Sequence, residues 1–261
     1  MQELLEVARV AAREAAELLR TAHAEHVTAK GNPRDLVTEW DLRSEETIRR
    51  VLDERSPGIP VLGEEGGQTG AGGELRWLVD PIDGTVNFAH GLPIWSIAIA
   101  LERGGDVLVG VVNAPALGWW FEAAQGGGAS DGAAPLRVSR QSRLDQSLLT
   151  TGFPYDRATS PENNFAEWEH LQRRAGACRR LGCASIDLCL VARGWMDGYW
   201  ERKLKPWDVA AGALIVREAG GTVTNTTGGL FDPHAGEVVA SNGAIHSELI
   251  AELGRVRRPA G

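Results

Sequence analysis

The chain has 261 residues, 43 % of them hydrophobic, which is enough to bury a substantial core in one large domain or two closely packed halves. Its formal net charge of −8 argues against a nucleic-acid-binding protein, because an acidic surface repels the phosphate backbone. No apolar run approaches the roughly 20 residues of a transmembrane helix, and the N-terminus lacks the features of a signal peptide.

The cysteines indicate a reducing environment. Cys178, Cys183 and Cys189 are odd in number and show no CxxC spacing, which disfavours both a disulfide framework and a zinc site. We therefore expect a cytoplasmic location. The net charge and the lack of a long apolar run lead us to expect neither a nucleic-acid partner nor a membrane.

The N-terminal half is predicted to begin with two helices and to continue as a sheet. Apolar residues at helical spacing predict an amphipathic helix over residues 3–22, and a second helix is expected from about Asp41 to the stop signal Ser56-Pro57-Gly58. Short apolar runs separated by glycines then predict an antiparallel or mixed sheet. Its strands are expected at residues 60–62, 76–79, 94–101, 107–113, 119–123 and 136–138.

The second half alternates between the two kinds of element. Helices are predicted at residues 162–173, 184–193, 209–219 and 244–253, and strands at 147–151, 196–201, 222–224 and 238–240. Helices layered on sheets indicate an α/β fold, an α+β sandwich with alternating helix and sheet layers. We place a boundary near residues 139–147, which gives an N-terminal half over residues 1–142 and a C-terminal half over residues 143–261.

Several carboxylates interrupt apolar sequence. Asp80 follows the run Trp77-Leu-Val79, Glu64 follows Val61-Leu-Gly63, and Asp208 lies between Trp207 and Val209. A carboxylate in such a setting is costly to bury unless it is paired, hydrogen-bonded or bound to a metal.

The segment Asp80-Pro-Ile-Asp-Gly-Thr85 has the composition of a metal-binding turn. Pro81 stiffens it, so that two aspartates three positions apart can converge on one or two hard cations, and Mg²⁺ prefers such oxygen ligands. Thr85 can open a short helix over residues 86–90, whose N–H groups would face a phosphate. The alternative is a purely structural Asx turn and helix cap. The whole set of acids in apolar sequence favours the metal site.

The chain resembles the inositol monophosphatase family, whose motifs it carries in the family's order over most of its length. The matching segments are Lys30, Asp35–Asp41, Gly63–Glu65, Trp77–Phe88, Gly182–Ala184, Glu201, Trp207–Gly212 and Glu218–Gly221. The resemblance implies an inositol monophosphatase or sugar-phosphatase-like fold. It also implies a Li⁺-sensitive, Mg²⁺-dependent phosphatase, active as a homodimer, that hydrolyses small phosphate monoesters with metal-activated water.

The resemblance also implies a role for each site residue. The ligands of two to three Mg²⁺ ions would be Glu64, Asp80, the Ile82 carbonyl, Asp83 and Asp208. The catalytic set would be Asp41, Glu64 and Thr85, with Thr85 and Asp41 orienting the attacking water. The substrate would contact Asp83, Gly84, Thr85, Gly182, Cys183, Ala184, Glu201 and Asp208, and Lys30 would belong to a mobile lid. Taken alone, Asp41 reads as a helix cap and Lys30 as a surface lysine.

The expected substrate is inositol-1-phosphate, because the run Val86–Trp95 resembles the inositol branch more than the nucleotidases. Fructose-1,6-bisphosphatase, histidinol-phosphatase, NADP phosphatase and 3′-phosphoadenosine nucleotidase activities are alternatives within the superfamily. Familiar animal members of the family have Thr at the position of Cys183, so this chain lacks their hydroxyl donor there. A different class of function is a regulatory binding protein in RNA-linked assemblies, although binding alone would not need the complete ligand set.

Overall fold

The computed structural model describes residues 1–70 and 73–257. These residues form seven α-helices: α1 Gln2–Leu19, α2 Glu39–Arg55, α3 Thr85–Ala89, α4 Phe165–Arg174, α5 Ala184–Ala192, α6 Pro206–Glu218 and α7 His246–Arg257. The first nine strands are β1 Val27–Ala29, β2 Leu36–Thr38, β3 Val61–Gly63, β4 Gly67–Thr69, β5 Leu75–Asp83, β6 Ser96–Arg103, β7 Asp106–Ala114, β8 Trp119–Ala124 and β9 Ala129–Ser130. The other five are β10 Leu148–Thr151, β11 Ala177–Arg179, β12 Gly198–Arg202, β13 Thr222–Thr224 and β14 Glu237–Ser241.

The strands are arranged in one antiparallel pair and two larger sheets. The pair is β1 with β2, the seven-stranded sheet has the order β4-β3-β5-β6-β7-β8-β9, and the five-stranded sheet has the order β11-β10-β12-β14-β13. Parallel pairing occurs between β3 and β5 and between β10 and both of its neighbours. The expected antiparallel or mixed sheet is therefore confirmed as mixed.

Helices and sheets alternate in five layers. Helices α1 and α2 pack on one face of the seven-stranded sheet, α5 and α6 lie between the two sheets, and α4 and α7 cover the outer face of the five-stranded sheet. Strand β6 shows why both faces of the larger sheet are buried. Its residues Ile97, Ile99 and Leu101 join the core beneath α1 and α2, whereas Ala98 and Ala100 face the central helices. The layered α/β fold is confirmed.

The central helices are apolar on all sides because they are enclosed between sheets. Every residue of α5 is buried, and α6 is buried from Val209 to Val216. A Cβ at Gly212 of α6 would lie 2.6 Å from the Cβ of Leu188 in α5. The glycine therefore permits the close approach of the two helices.

The predicted elements differ from the observed ones in a few places. Residues 136–138 are not a strand, and that prediction is wrong: the N–H of Leu136 bonds to Ala129 and that of Val138 to Ala219, so no ladder forms. The short strands β1, β2, β4, β9 and β11 were not predicted, because they lack a long apolar run. In the described part of the chain, no helix is long and apolar enough to span a bilayer.

The two large sheets use separate stretches of chain. The seven-stranded sheet comes from residues 61–130 and the five-stranded sheet from residues 148–241. Helix α6, from the second stretch, contacts strands of both sheets. The division of the chain into halves at residues 142 and 143 stays a prediction.

Candidate active site

The turn from Asp80 to Thr85 begins where strand β5 leaves its regular ladder. Asp80 pairs with Ala98, but the next pair is Asp83 with Ser96, so the register shifts between the two aspartates. Such an irregularity re-aims side chains that would otherwise alternate across the sheet. It accounts for two aspartates near one another at the end of a buried strand.

Gly84 follows with a φ of +89° and precedes α3. A Cβ there would lie 3.1 Å from the Ile94 carbonyl oxygen and 3.2 Å from the Gly182 carbonyl oxygen. The turn therefore packs closely against the backbone that follows α3 and against the distant segment at Gly182, and only glycine combines that φ with that fit.

A cavity of about 370 Å³ opens beside this turn. It is lined by almost all of the residues that the sequence singled out: Lys30, Glu64, Asp80, Ile82, Asp83, Gly84, Thr85, Gly182, Cys183, Ala184, Glu201 and Asp208. Asp41 is fully buried and lies behind Thr85. A larger cavity of about 510 Å³, around Arg76, Glu102 and His234, contains none of the predicted site residues.

The carboxylates of the cavity repel one another. Burial raises the pKa of Asp80 well above its ordinary value, and the negative charges of Glu64, Asp83 and Asp208 raise it further. Asp208 is affected in the same way, by burial and then by Asp83 and Glu64. Burial also raises the pKa of Glu64 to about 7, against the opposing effect of Lys30. A nearby cation would stabilise the ionised form of each of these carboxylates.

This donor set fits Mg²⁺ by its chemistry, because it consists of carboxylate oxygens and a backbone carbonyl. Over residues 1–70 and 73–257, no group of three or more His, Cys, Asp or Glu side chains is gathered as a metal cluster. Instead, local donors engage the acids. Lys30 Nζ lies 2.9 Å from Glu64 Oε1 and 2.5 Å from Glu65 Oε1, and the Lys205 N–H donates to Asp208 Oδ2 at 2.7 Å.

Thr85 connects the cavity to buried Asp41. Its Oγ1 lies 3.0 Å from Asp41 Oδ1 and 2.9 Å from the Ile82 carbonyl oxygen. The other carboxylate oxygen of Asp41 accepts the N–H and the hydroxyl of Thr38, at 2.8 and 2.5 Å, and so caps helix α2. When Thr85 donates to Asp41, the lone pairs of its hydroxyl oxygen are left to accept a hydrogen bond from a water molecule in the cavity. Asp41 thus caps helix α2 with one carboxylate oxygen and accepts the Thr85 hydroxyl with the other.

Glu201, on strand β12, also lines the cavity. Its Oε2 accepts the Tyr199 hydroxyl at 2.6 Å, and burial raises its pKa to about 7. Gly182, Cys183 and Ala184 lead into helix α5 and lie against the Asp83–Gly84 part of the turn. The Cys183 thiol points to Asp83, with Sγ 3.2 Å from Oδ2.

Three supporting residues were missed by the sequence reasoning. Glu45 of α2 accepts the N–H groups of Glu65 and Gly66, at 2.8 and 2.7 Å, and so fixes the loop that carries Glu64. A Cβ at Gly152 would overlap the carboxylate of Glu201. Ser185 donates to Asp83. None lies in a motif, and each acts on a residue distant in sequence, so the chain offers no local signal for them.

Comparison with known proteins gives concordant matches. The profile of the inositol monophosphatase family matches residues 1–258. An inositol-1-monophosphatase from Synechocystis sp. is 43 % identical over 230 residues, which cover 88 % of this chain and 80 % of that protein. A protein named Nus factor SuhB from Pasteurella multocida is 37 % identical over 257 residues, 97 % of this chain and 96 % of that protein. The solved structure of an inositol monophosphatase from Anabaena (Nostoc) sp. superposes with a TM-score of 0.90 at 37 % identity, covering 97 % of this chain and 96 % of that one.

Proposed function

The chain belongs to the inositol monophosphatase family of phosphatases, and on this premise we propose that it hydrolyses small phosphate monoesters with Mg²⁺ as cofactor. The observation that carries the proposal is the set of mutually repelling carboxylates in one cavity, beside the Thr85–Asp41 pair. The proposed ligands of two to three Mg²⁺ ions are Glu64, Asp80, the Ile82 carbonyl, Asp83 and Asp208.

Bound Mg²⁺ would supply an activated water molecule and would neutralise charge on the phosphoryl group. The protein's part is to orient that water and to hold the ester. Thr85 Oγ1 accepts a hydrogen bond from the water and donates one to Asp41, so the buried carboxylate fixes the direction of the hydroxyl and is the base to which the proton can pass. Glu64, the third proposed catalytic residue, belongs to the ligand set, and Glu45 fixes the loop that carries it.

We propose inositol-1-phosphate as the first substrate to test. Relatives from several bacteria carry the name inositol-1-monophosphatase. The Glu201 carboxylate, fixed by Tyr199, faces the same cavity as Asp83 and Asp208 and can accept a ring hydroxyl. Backbone and small side chains at Gly84 and Gly182–Ala184 leave room for a hydroxylated ring. Fructose-1,6-bisphosphate, histidinol phosphate, NADP and 3′-phosphoadenosine nucleotides are the competing substrates.

The test measures phosphate release from each of these esters, with Mg²⁺ and with EDTA. We expect release that depends on Mg²⁺, is inhibited by Li⁺, and has the highest kcat/KM with inositol-1-phosphate. If no ester gives Mg²⁺-dependent release, the phosphatase proposal fails. If another ester gives the highest kcat/KM, only the choice of inositol-1-phosphate fails.

Lys30 is proposed as a lid contact. It lies in the loop between β1 and β2, and its ammonium bonds to Glu64 and Glu65 at the rim of the cavity. Because the same ion pair engages a proposed metal ligand, we expect Lys30 to leave Glu64 when metal binds.

A second candidate function comes from the names of other relatives. Proteins from Pasteurella multocida and Pseudomonas aeruginosa, 37 and 38 % identical, are named Nus factor SuhB. We propose a regulatory role in an RNA-linked assembly as the alternative. Titration of a fluorescent mixed-sequence RNA at physiological salt tests it for direct RNA contact. The net charge of −8 leads us to expect no binding, and saturable binding would favour the alternative.

A homodimer in a reducing, cytoplasmic setting completes the proposal. The three cysteines are free and buried, which suits a reducing compartment. Light scattering after size exclusion tests the dimer, which should have twice the 28.0 kDa mass of the chain.

A further inference from the structure

We infer that Ser185 and Ser96 are positioning residues for Asp83, and that they form a directed pair of hydroxyls that fixes the proposed metal ligand. The inference rests on the proposed function, because it concerns how the cavity presents Asp83 to a divalent cation. Ser185 is fully buried in the first turn of α5, and Ser96 is fully buried at the start of β6.

The contacts concentrate on one oxygen of the carboxylate. Asp83 Oδ2 lies 2.6 Å from the N–H nitrogen of Ser185, 2.6 Å from its hydroxyl oxygen and 3.2 Å from Cys183 Sγ. From the residues that the structure describes, the other oxygen, Oδ1, accepts a single hydrogen bond, donated by the Ala184 N–H at 3.3 Å. Oδ1 therefore keeps unused lone pairs for a cation, while Oδ2 is saturated by the protein.

The directions of the protons follow from the chemistry of the groups. An ionised carboxylate only accepts, so the single hydroxyl proton of Ser185 goes to Asp83. The oxygen of Ser96 lies 2.6 Å from that of Ser185, so Ser96 must be the donor in this pair. The result is a series of hydrogen bonds in which Ser96 donates to Ser185 and Ser185 donates to Asp83.

Geometry explains why Ser96 is available. Ser96 is the register partner of Asp83 across the irregular end of the β5–β6 ladder, and α5 begins directly above this point. The hydroxyl pair thus ties the end of the seven-stranded sheet to the first turn of the central helix.

The thiol of Cys183 is a poor substitute for these hydroxyls. It lies farther from Asp83 than the Ser185 oxygen does, and S–H is a weak donor. An oxygen at the Cys183 position would be a stronger donor to the same carboxylate oxygen. A hydroxyl placed there should therefore compensate for one removed from Ser185.

The experiment measures binding of Mn²⁺ to the full chain without substrate, from the electron paramagnetic resonance signal of the free ion. We expect Ser185→Ala to weaken binding by about 10- to 100-fold, the usual effect of removing a residue that orients a metal ligand. Ser96→Ala should give a smaller loss, because Ser185 keeps its bond to Asp83. The double variant C183S/S185A should regain most of the affinity that Ser185→Ala loses.

Ser147→Ala is the matched control. Ser147 is a buried serine whose hydroxyl bonds to the Arg143 carbonyl oxygen at 2.8 Å, outside the cavity, so its removal should leave Mn²⁺ affinity unchanged. If Ser185→Ala does not fold, Ser185→Cys, which keeps a side-chain atom at this position but replaces the hydroxyl with a larger and weakly donating thiol, must show the same loss.

Three results would overturn the inference: a wild-type chain that binds no Mn²⁺, a folded Ser185 variant with unchanged affinity, or a double variant no better than Ser185→Ala. A wild type that binds Mn²⁺ but releases phosphate from no ester would instead contradict the proposed function and leave the inference standing.

Discussion

Adding one methyl group at Gly152 should impair the binding of a hydroxylated substrate without harming the chemistry. Gly152 follows strand β10, and a Cβ there would overlap the carboxylate of Glu201. The end of a flexible side chain can move aside, so Gly152→Ala should fold. The displaced Glu201 would lose its 2.6 Å bond from Tyr199 and its place in the cavity wall.

The size of the effect follows from the bond that is lost. A hydrogen bond to a charged group contributes about 1.5–3 kcal/mol, which corresponds to a fall of roughly 10- to 150-fold in kcat/KM for inositol-1-phosphate. An aryl phosphate has no ring hydroxyl for Glu201, so its hydrolysis should change little. Steady-state phosphate release from both esters measures the difference.

Gly254→Ala is the control, because nothing lies within 4 Å of a Cβ at that position. It should leave both substrates unaffected. Equal losses for the two esters with Gly152→Ala, or no loss for either, would refute the role assigned to Glu201.

Three further variants test other parts of the site. Asp83→Asn should abolish Mg²⁺-dependent phosphate release while the circular dichroism spectrum and the unfolding midpoint are kept; an active variant would contradict the ligand assignment. Thr85→Val should lower kcat by about 10²–10⁴-fold, the usual contribution of a group that assists proton transfer, without weakening Mn²⁺ binding, and a near-normal kcat would remove Thr85 from the mechanism. Glu201→Gln should change how stability depends on pH. The pKa of Glu201 rises from 4.5 to about 7 on folding, so the folded chain binds this proton more tightly than the unfolded chain does. The free energy of unfolding of the wild type therefore falls by up to about 3 kcal/mol as the pH rises from 4.5 to about 7. Urea unfolding in EDTA at pH 5 and pH 8 measures this. The free energy of unfolding of Glu201→Gln relative to the wild type should be higher at pH 8 than at pH 5, whereas an equal difference at both pH values would contradict the raised pKa.

The parts of the fold with strong local patterns were predictable from the sequence. Helix α1 was expected from apolar spacing and ends at Leu19, three residues before the predicted end. Strand β5 was expected from the run that precedes Asp80, and it continues through the turn to Asp83. By contrast, residues 136–138 have the apolar character of a strand but find separate backbone partners, which composition does not reveal.

The chemistry of the site was visible where it is concentrated in a short segment. Asp80 and Asp83 stood out because they interrupt apolar sequence and flank a proline. The side chains that orient them were not visible. Ser185 and Asp83 are 102 positions apart, and only folding places α5 at the end of β5. A residue that acts through another at such a distance has no sequence pattern of its own.

The most direct test of the metal site is a crystal structure of the protein with Mn²⁺, located by its anomalous scattering. We expect two or three peaks in the cavity, bound by carboxylate oxygens of Glu64, Asp80, Asp83 and Asp208 and by the Ile82 carbonyl, with Lys30 displaced from Glu64. Peaks bound only by other residues, or none at a Mn²⁺ concentration that activates phosphate release, would contradict the site proposed for the catalytic metal.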